Sequence, residues 1–69
     1  MDAHLLVAMA NEIAAFFAGE EPGTAAANVA NHLRRYWEPR MRKQIIEHAS
    51  KGGEGLTPVA RAGVELIGR

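Results

Sequence analysis

Glycine and proline cut this chain into four pieces, and that punctuation constrains its fold more than any other feature. The breaks fall at Gly19 to Gly23, at Pro39, and across Gly52-Gly53-Glu54-Gly55 into Thr57-Pro58. Between them apolar residues recur three and four positions apart, the period of a helix with one buried face. No stretch alternates with period two, so no strand is expected, and there is no internal repeat. The first piece runs from about Ala3 to Ala18, with Leu6, Met9, Ile13, Phe16 and Phe17 on one face and Gly19 as its stop. The second runs from Thr24, which can cap it through its hydroxyl, to Tyr36. Its face is Ala26, Val29, Ala30, Leu33, Tyr36 and Trp37, and its alanine run Ala25-Ala26-Ala27 permits close approach of another helix. The third starts at Pro39, since a residue before proline is biased away from helix and proline suits the first helical position. It ends near Ser50, where Lys51 begins a flexible glycine loop. The fourth runs from the Thr57 cap to about Ile67, with Val59, Ala62 and Gly63, Leu66 and Ile67 as a short apolar face. Gly63 weakens it by roughly 1 kcal/mol relative to alanine. The expected fold is all-α, a small single-domain bundle of about four short helices over residues 1–69.

Sixty-nine residues allow one domain and leave it short of core. There is no cysteine, so neither a disulfide nor a cysteine zinc site can staple the fold, and a reducing compartment is the fitting one. An unstapled, apolar-rich chain of this size is stabilised by a partner or by self-association. The first residues lack the basic start of a secretory signal, and no apolar run approaches the ~20 residues of a membrane span.

The zero formal net charge hides a polarity. Residues 1–33 carry Asp2, Glu12, Glu20 and Glu21 with no Lys or Arg, a charge of −4. Residues 34–69 carry eight Lys and Arg against Glu38, Glu47, Glu54 and Glu65, a charge of +4. Opposed halves allow a homodimer, or suit a partner with its own charge pattern. The cations concentrate in "RRYWEPRMRKQ", residues 34–44, where five of eleven residues are basic. Arg34 and Arg35 end the second helix and offset the negative end of its dipole. Arg40, Arg42 and Lys43 open the third helix, where a cation opposes the dipole; Lys43 can pair with Glu47, though in the less favourable order. Local helix stability leaves these three unexplained, and an acidic partner would explain them. Trp, Tyr and Arg are the residue types enriched in binding hot spots, and here they adjoin. The candidate partner-binding set is Arg34, Arg35, Tyr36, Trp37, Arg40, Met41, Arg42 and Lys43.

A helix–turn–helix reading of segments two and three would make the partner nucleic acid. The acidic half and the absence of excess positive charge argue against it. Catalysis and metal binding find little support. Gly52 to Gly55 lacks the Gly-Lys-Ser/Thr ending and preceding strand of a phosphate loop. His4, His32 and His48 lie on different segments and make a poor metal site. His32 could be a buried hydrogen-bonding histidine, and His48 and Ser50, two apart, do not share a helix face. No nucleophile–base pair is identifiable, so no catalytic, cofactor-binding or metal-binding residue is assigned.

Three stretches resemble the delta subunit of bacterial NAD-dependent, molybdenum-containing formate dehydrogenases: "MANEIAAFF" (Met9 to Phe17), "HLRRYWEPRMRKQI" (His32 to Ile45) and "GGEGLTPVAR" (Gly52 to Arg61). The Trp-x-Pro-Arg-Met-Arg string within the second is the most specific. Tyr36 stands where that family more often has phenylalanine, and Leu33 replaces a similar aliphatic. The resemblance implies a non-catalytic accessory subunit of a cytoplasmic complex that converts formate and NAD⁺ to carbon dioxide and NADH. It implies that the alpha subunit carries molybdenum or tungsten bis-pterin guanine dinucleotide and iron–sulfur clusters. The beta subunit would carry FMN and the NAD site, and the gamma subunit a further iron–sulfur cluster. This chain would bind none of them; without cysteine it cannot hold an iron–sulfur cluster through thiolates. The implied role is to bind the alpha subunit and stabilise the complex or assist cofactor insertion, with a transient chaperone of the immature alpha subunit as the alternative. On this reading Trp37 and Tyr36 anchor the corner between helices two and three, and Arg40 and Arg42 point toward acidic groups or carbonyls of the large subunit.

Overall fold

The computed structural model describes residues 2–68. They form four helices and no strand: α1 (Ala3–Phe16), α2 (Pro22–Tyr36), α3 (Pro39–Ser50) and α4 (Pro58–Ile67). All three prolines of the chain open a helix, which explains why α2, α3 and α4 start where they do. Thr57 caps α4 through its hydroxyl, which accepts from the Ala60 N–H at 3.4 Å. Asp2, which the sequence reading passed over, caps α1 by accepting from the His4 N–H at 2.9 Å. α2 starts two residues before Thr24, with Glu21 as its N-cap and no side-chain cap bond. Pro22, whose ring presets the helical φ and whose missing N–H needs no partner at the first position, sets the start instead.

α1 also ends before Gly19. From Phe17 the N–H groups bond three residues back, Phe17 to the Ala14 carbonyl and Ala18 to that of Ala15, which tightens the chain out of the helix. Gly19 keeps an ordinary φ; the positive-φ glycines of the described residues are Gly52, Gly53 and Gly55. Gly52 and Gly53 terminate α3 by returning their N–H groups to the carbonyls of Ala49 (3.2 Å) and His48 (3.0 Å). This is the paired arrangement that a left-handed residue makes possible at a helix end.

The core gathers Leu6, Val7, Ala10 and Ala14 of α1 with Val29 and Leu33 of α2. Trp37, Ile45 of α3, and Ala60 and Val64 of α4 complete it. Phe16, expected on the inward face of α1, is 89% exposed. The buried positions 6, 7, 10 and 14 define one stripe, and position 16 lies two residues off it, across the helix. The closest helix pair is α2 with α4, and Gly63 is the reason. A Cβ at Gly63 would sit 2.5 Å from Val29 Cγ1, 2.7 Å from Val29 Cβ and 3.2 Å from the Ala26 carbonyl oxygen. Gly63 therefore does more than weaken α4: together with the buried Ala25, Ala26 and Ala30 it lets the two helices cross almost backbone to backbone.

Candidate partner-binding surface

The basic stretch spans the end of α2, the turn at Trp37 and Glu38, and the start of α3. The structure splits its residues between internal work and outward exposure. Trp37 is 6% exposed and belongs to the core, so its ring holds the corner together from inside. Met41 is half-buried and packs against the same cluster.

Arg42 turns back across the corner. Its Nη1 donates to the carbonyl oxygens of Trp37, Arg34 (3.4 Å) and Leu33 (3.5 Å). These lie at the C-terminal end of α2, where the dipole is negative and the last carbonyls run out of intrahelical donors, although that of Leu33 also accepts the Trp37 N–H at 3.1 Å. A cation at the start of α3 is thus explained by the end of α2, and the turn at Pro39 is what brings the two together. Arg34 serves a second helix end: its Nη2 donates to the Leu66 carbonyl in the last turn of α4 at 3.3 Å, and its Nη1 to Asn31 Oδ1 at 3.4 Å. Glu47 pairs with Lys51 at 3.6 Å rather than with Lys43. That is the favourable order on a helix, acid before base.

Arg35, Tyr36, Arg40 and Lys43 remain outward. Tyr36 is 68% exposed. Its ring leans on His32, one turn earlier, with centroids 4.7 Å apart and planes at 48°, and the Arg35 guanidinium lies 5.9 Å from its centre. Arg40 and Lys43 make no hydrogen bond or ion pair with the described residues. Five of the eight candidates are thus exposed, Arg34 among them although it is tied to the end of α4, and Trp37, Met41 and Arg42 build the support beneath.

The glycine loop is structural. Asn11 of α1 donates through Nδ2 to the Gly55 carbonyl and accepts the Thr57 N–H through Oδ1, both at 2.9 Å. His48 Nε2 meets the Glu54 carbonyl at 2.8 Å. The loop expected to be flexible is pinned from two helices. The N–H groups of Gly52 and Gly53 serve the end of α3. The sequence reading gave Asn11 no part in this, although a lone amide amid the apolar residues of "MANEIAAFF" was a signal. His32 makes a ring contact and no side-chain hydrogen bond among the described residues. Among those residues no group of three or more His, Asp or Glu side chains could hold a metal ion, and no helix is long and apolar enough to cross a membrane.

Comparison with curated proteins found no match, and comparison with solved structures found none. The family of NADH-dependent formate dehydrogenase delta subunits, FdsD, matches residues 5–64. That span contains the capped corner, the pinned glycine loop and the glycine at the α2–α4 crossing. The resemblance carried by the three sequence stretches is therefore borne out, and the chain belongs to the FdsD family of formate dehydrogenase delta subunits.

Proposed function

We propose that this chain is a non-catalytic accessory subunit of a cytoplasmic NAD-dependent formate dehydrogenase. It binds the large molybdenum-containing alpha subunit and stabilises it or assists insertion of its cofactor. The observation that carries this reading is the family match over residues 5–64. Oxidation of formate and reduction of NAD⁺ then belong to the other subunits. The chain has no cysteine to ligate an iron–sulfur cluster; that the alpha, beta and gamma partners carry the molybdenum or tungsten pterin, the iron–sulfur clusters and FMN is what the family resemblance implies.

The docking face is the outward part of the α2–α3 corner: Arg35, Tyr36, Arg40 and Lys43. Arg42 and Trp37 support that face from within the fold. The face suits acidic groups and carbonyl oxygens flanking an apolar contact for the Tyr36 ring.

The test is a pull-down of the tagged chain from its native host grown on formate, with the bound proteins identified by mass spectrometry. Recovery of the large subunit with the flavin and iron–sulfur subunits, in constant ratio through gel filtration, marks a resident subunit. Recovery of the cofactor-free large subunit alone marks a transient chaperone. Arg40→Glu with Lys43→Glu should abolish recovery and leave the isolated chain's helical circular dichroism and melting unchanged. Recovery of neither form by the unaltered chain would refute the function; undiminished recovery by the double variant would refute the face.

A further inference from the structure

Phe16 is the most exposed large apolar side chain among the described residues. With Ile13 and Phe17 it lines an open groove, flanked by Glu12 on the same helix and His32 on α2. The His32 and Tyr36 rings meet tilted at 48°, and the Arg35 guanidinium lies 5.9 Å from the centre of the Tyr36 ring. These contacts order a continuous stripe: Glu12, then Phe16 and Phe17, then His32 and Tyr36, then Arg35. An acid stands at one end, a cation at the other, and aromatic surface lies between. Among the described residues Glu12 has no hydrogen-bond or ion-pair partner, and Arg35 has only the face of Tyr36.

We propose that two copies of this chain associate through this stripe about a two-fold axis, each Phe16 covered by the other copy and Glu12 of each facing Arg35 of the other. A two-fold interface uses the same patch twice, so the patch must complement itself. Antiparallel superposition of this stripe does that without further adjustment: its acid end meets its cation end on both sides, and the aromatics meet in the middle. An unrelated partner would have to supply a cation and an acid at the matching separation. The zero formal net charge adds no long-range repulsion between copies. A stable interface buries roughly 800 Å² per partner, about a fifth of the 4452 Å² surface of this chain. The stripe shares Arg35 and Tyr36 with the docking face above, so the pairing belongs to the free chain and a partner on that face would displace it; its test needs no other subunit.

The experiment is sedimentation velocity of the purified full chain, tag removed, over a concentration series at low salt. The unaltered chain should sediment as a dimer of twice the 7.5 kDa chain mass. Phe16→Ser should give a monomer with unchanged helical circular dichroism, because the side chain it removes is outside the core. Glu12→Arg and Arg35→Glu should each weaken the dimer by roughly tenfold or more, since each sets like charges face to face. Glu12→Arg combined with Arg35→Glu should restore it. A monomer at every concentration overturns the proposal, and so does a dimer that survives Phe16→Ser. A double reversal no better than either single one overturns the antiparallel arrangement.

Discussion

Replacing Gly63 by alanine should destabilise this protein, although alanine is the better helix former by about 1 kcal/mol. The new Cβ would lie 2.5 Å and 2.7 Å from two carbons of Val29, whereas carbon atoms rest at about 3.5–4.0 Å. Val29 is β-branched, and its Cβ is fixed to the backbone, so no rotamer change removes the 2.7 Å contact. The 3.2 Å approach to the Ala26 carbonyl oxygen is likewise backbone. α4 must therefore move away from α2 by about 1 Å, loosening the closest helix pair in the molecule. Overpacking of this kind costs typically up to about 3 kcal/mol. Less the propensity gain, the net loss is about 2 kcal/mol. At about 4–8 °C per kcal/mol for a domain of this size, the melting temperature should fall by roughly 10 °C. Gly23→Ala supplies the control. Gly23 lies in the first turn of α2, is exposed, keeps an ordinary φ and has nothing within 4 Å of an added Cβ. It should gain about 0.4–1 kcal/mol by restricting the unfolded chain. Thermal and urea denaturation followed by circular dichroism reads both. The two substitutions are chemically identical and should have opposite signs. A rise in melting temperature for Gly63→Ala would refute the close α2–α4 crossing.

Arg42→Ala should lower stability by about 1–2 kcal/mol in urea denaturation, because it removes a charged donor from the carbonyls that end α2; Arg40→Ala, two residues away and unpaired, should stay within about 0.5 kcal/mol of the unaltered chain. Asn11→Ala should free the glycine loop from α1, costing about 1–2 kcal/mol for its two bonds and speeding hydrogen exchange at the Thr57 amide, which then loses its acceptor. Trp37→Ala should cost about 3–5 kcal/mol, enough to unfold a domain of this size, whereas Tyr36→Ala should leave the fold intact, as measured by circular dichroism.

Four helices were legible in the sequence because proline and glycine act locally. Pro39 and Pro58 marked helix starts within one residue, and Gly52-Gly53 marked the end of α3. Where the reading slipped, two local signals competed. Thr24 is a good cap, but Pro22 two residues earlier is a good first residue, and the helix starts at the proline. Phe16 is apolar and at plausible spacing, but which of two adjacent phenylalanines faces inward depends on where α2 crosses α1, and periodicity carries no such long-range fact. The meaning of Gly63 was hidden for the same reason: its propensity is local, and its partner Val29 is thirty-four positions away.

The basic stretch shows how a surface can look more functional in sequence than in space. Arg40, Arg42 and Lys43 were equally unexplained as cations in the first turns of a helix. The dipole of their own helix opposes them, but that of the preceding helix does not. The tight corner at Pro39 places the start of α3 against the end of α2, so a cation that opposes one dipole can satisfy the other. Arg42, half-buried beside the corner, takes that role. Arg40 and Lys43 lie on the exposed side of the same helix, and their side chains make no hydrogen bond or ion pair with the described residues. Two residues along an α-helix is about 200° of rotation, which separates the cation that builds the corner from the cation that faces outward. Under the proposed docking face the residues to alter are therefore Arg35, Tyr36, Arg40 and Lys43, because changes at Arg42 or Trp37 would disturb the corner itself.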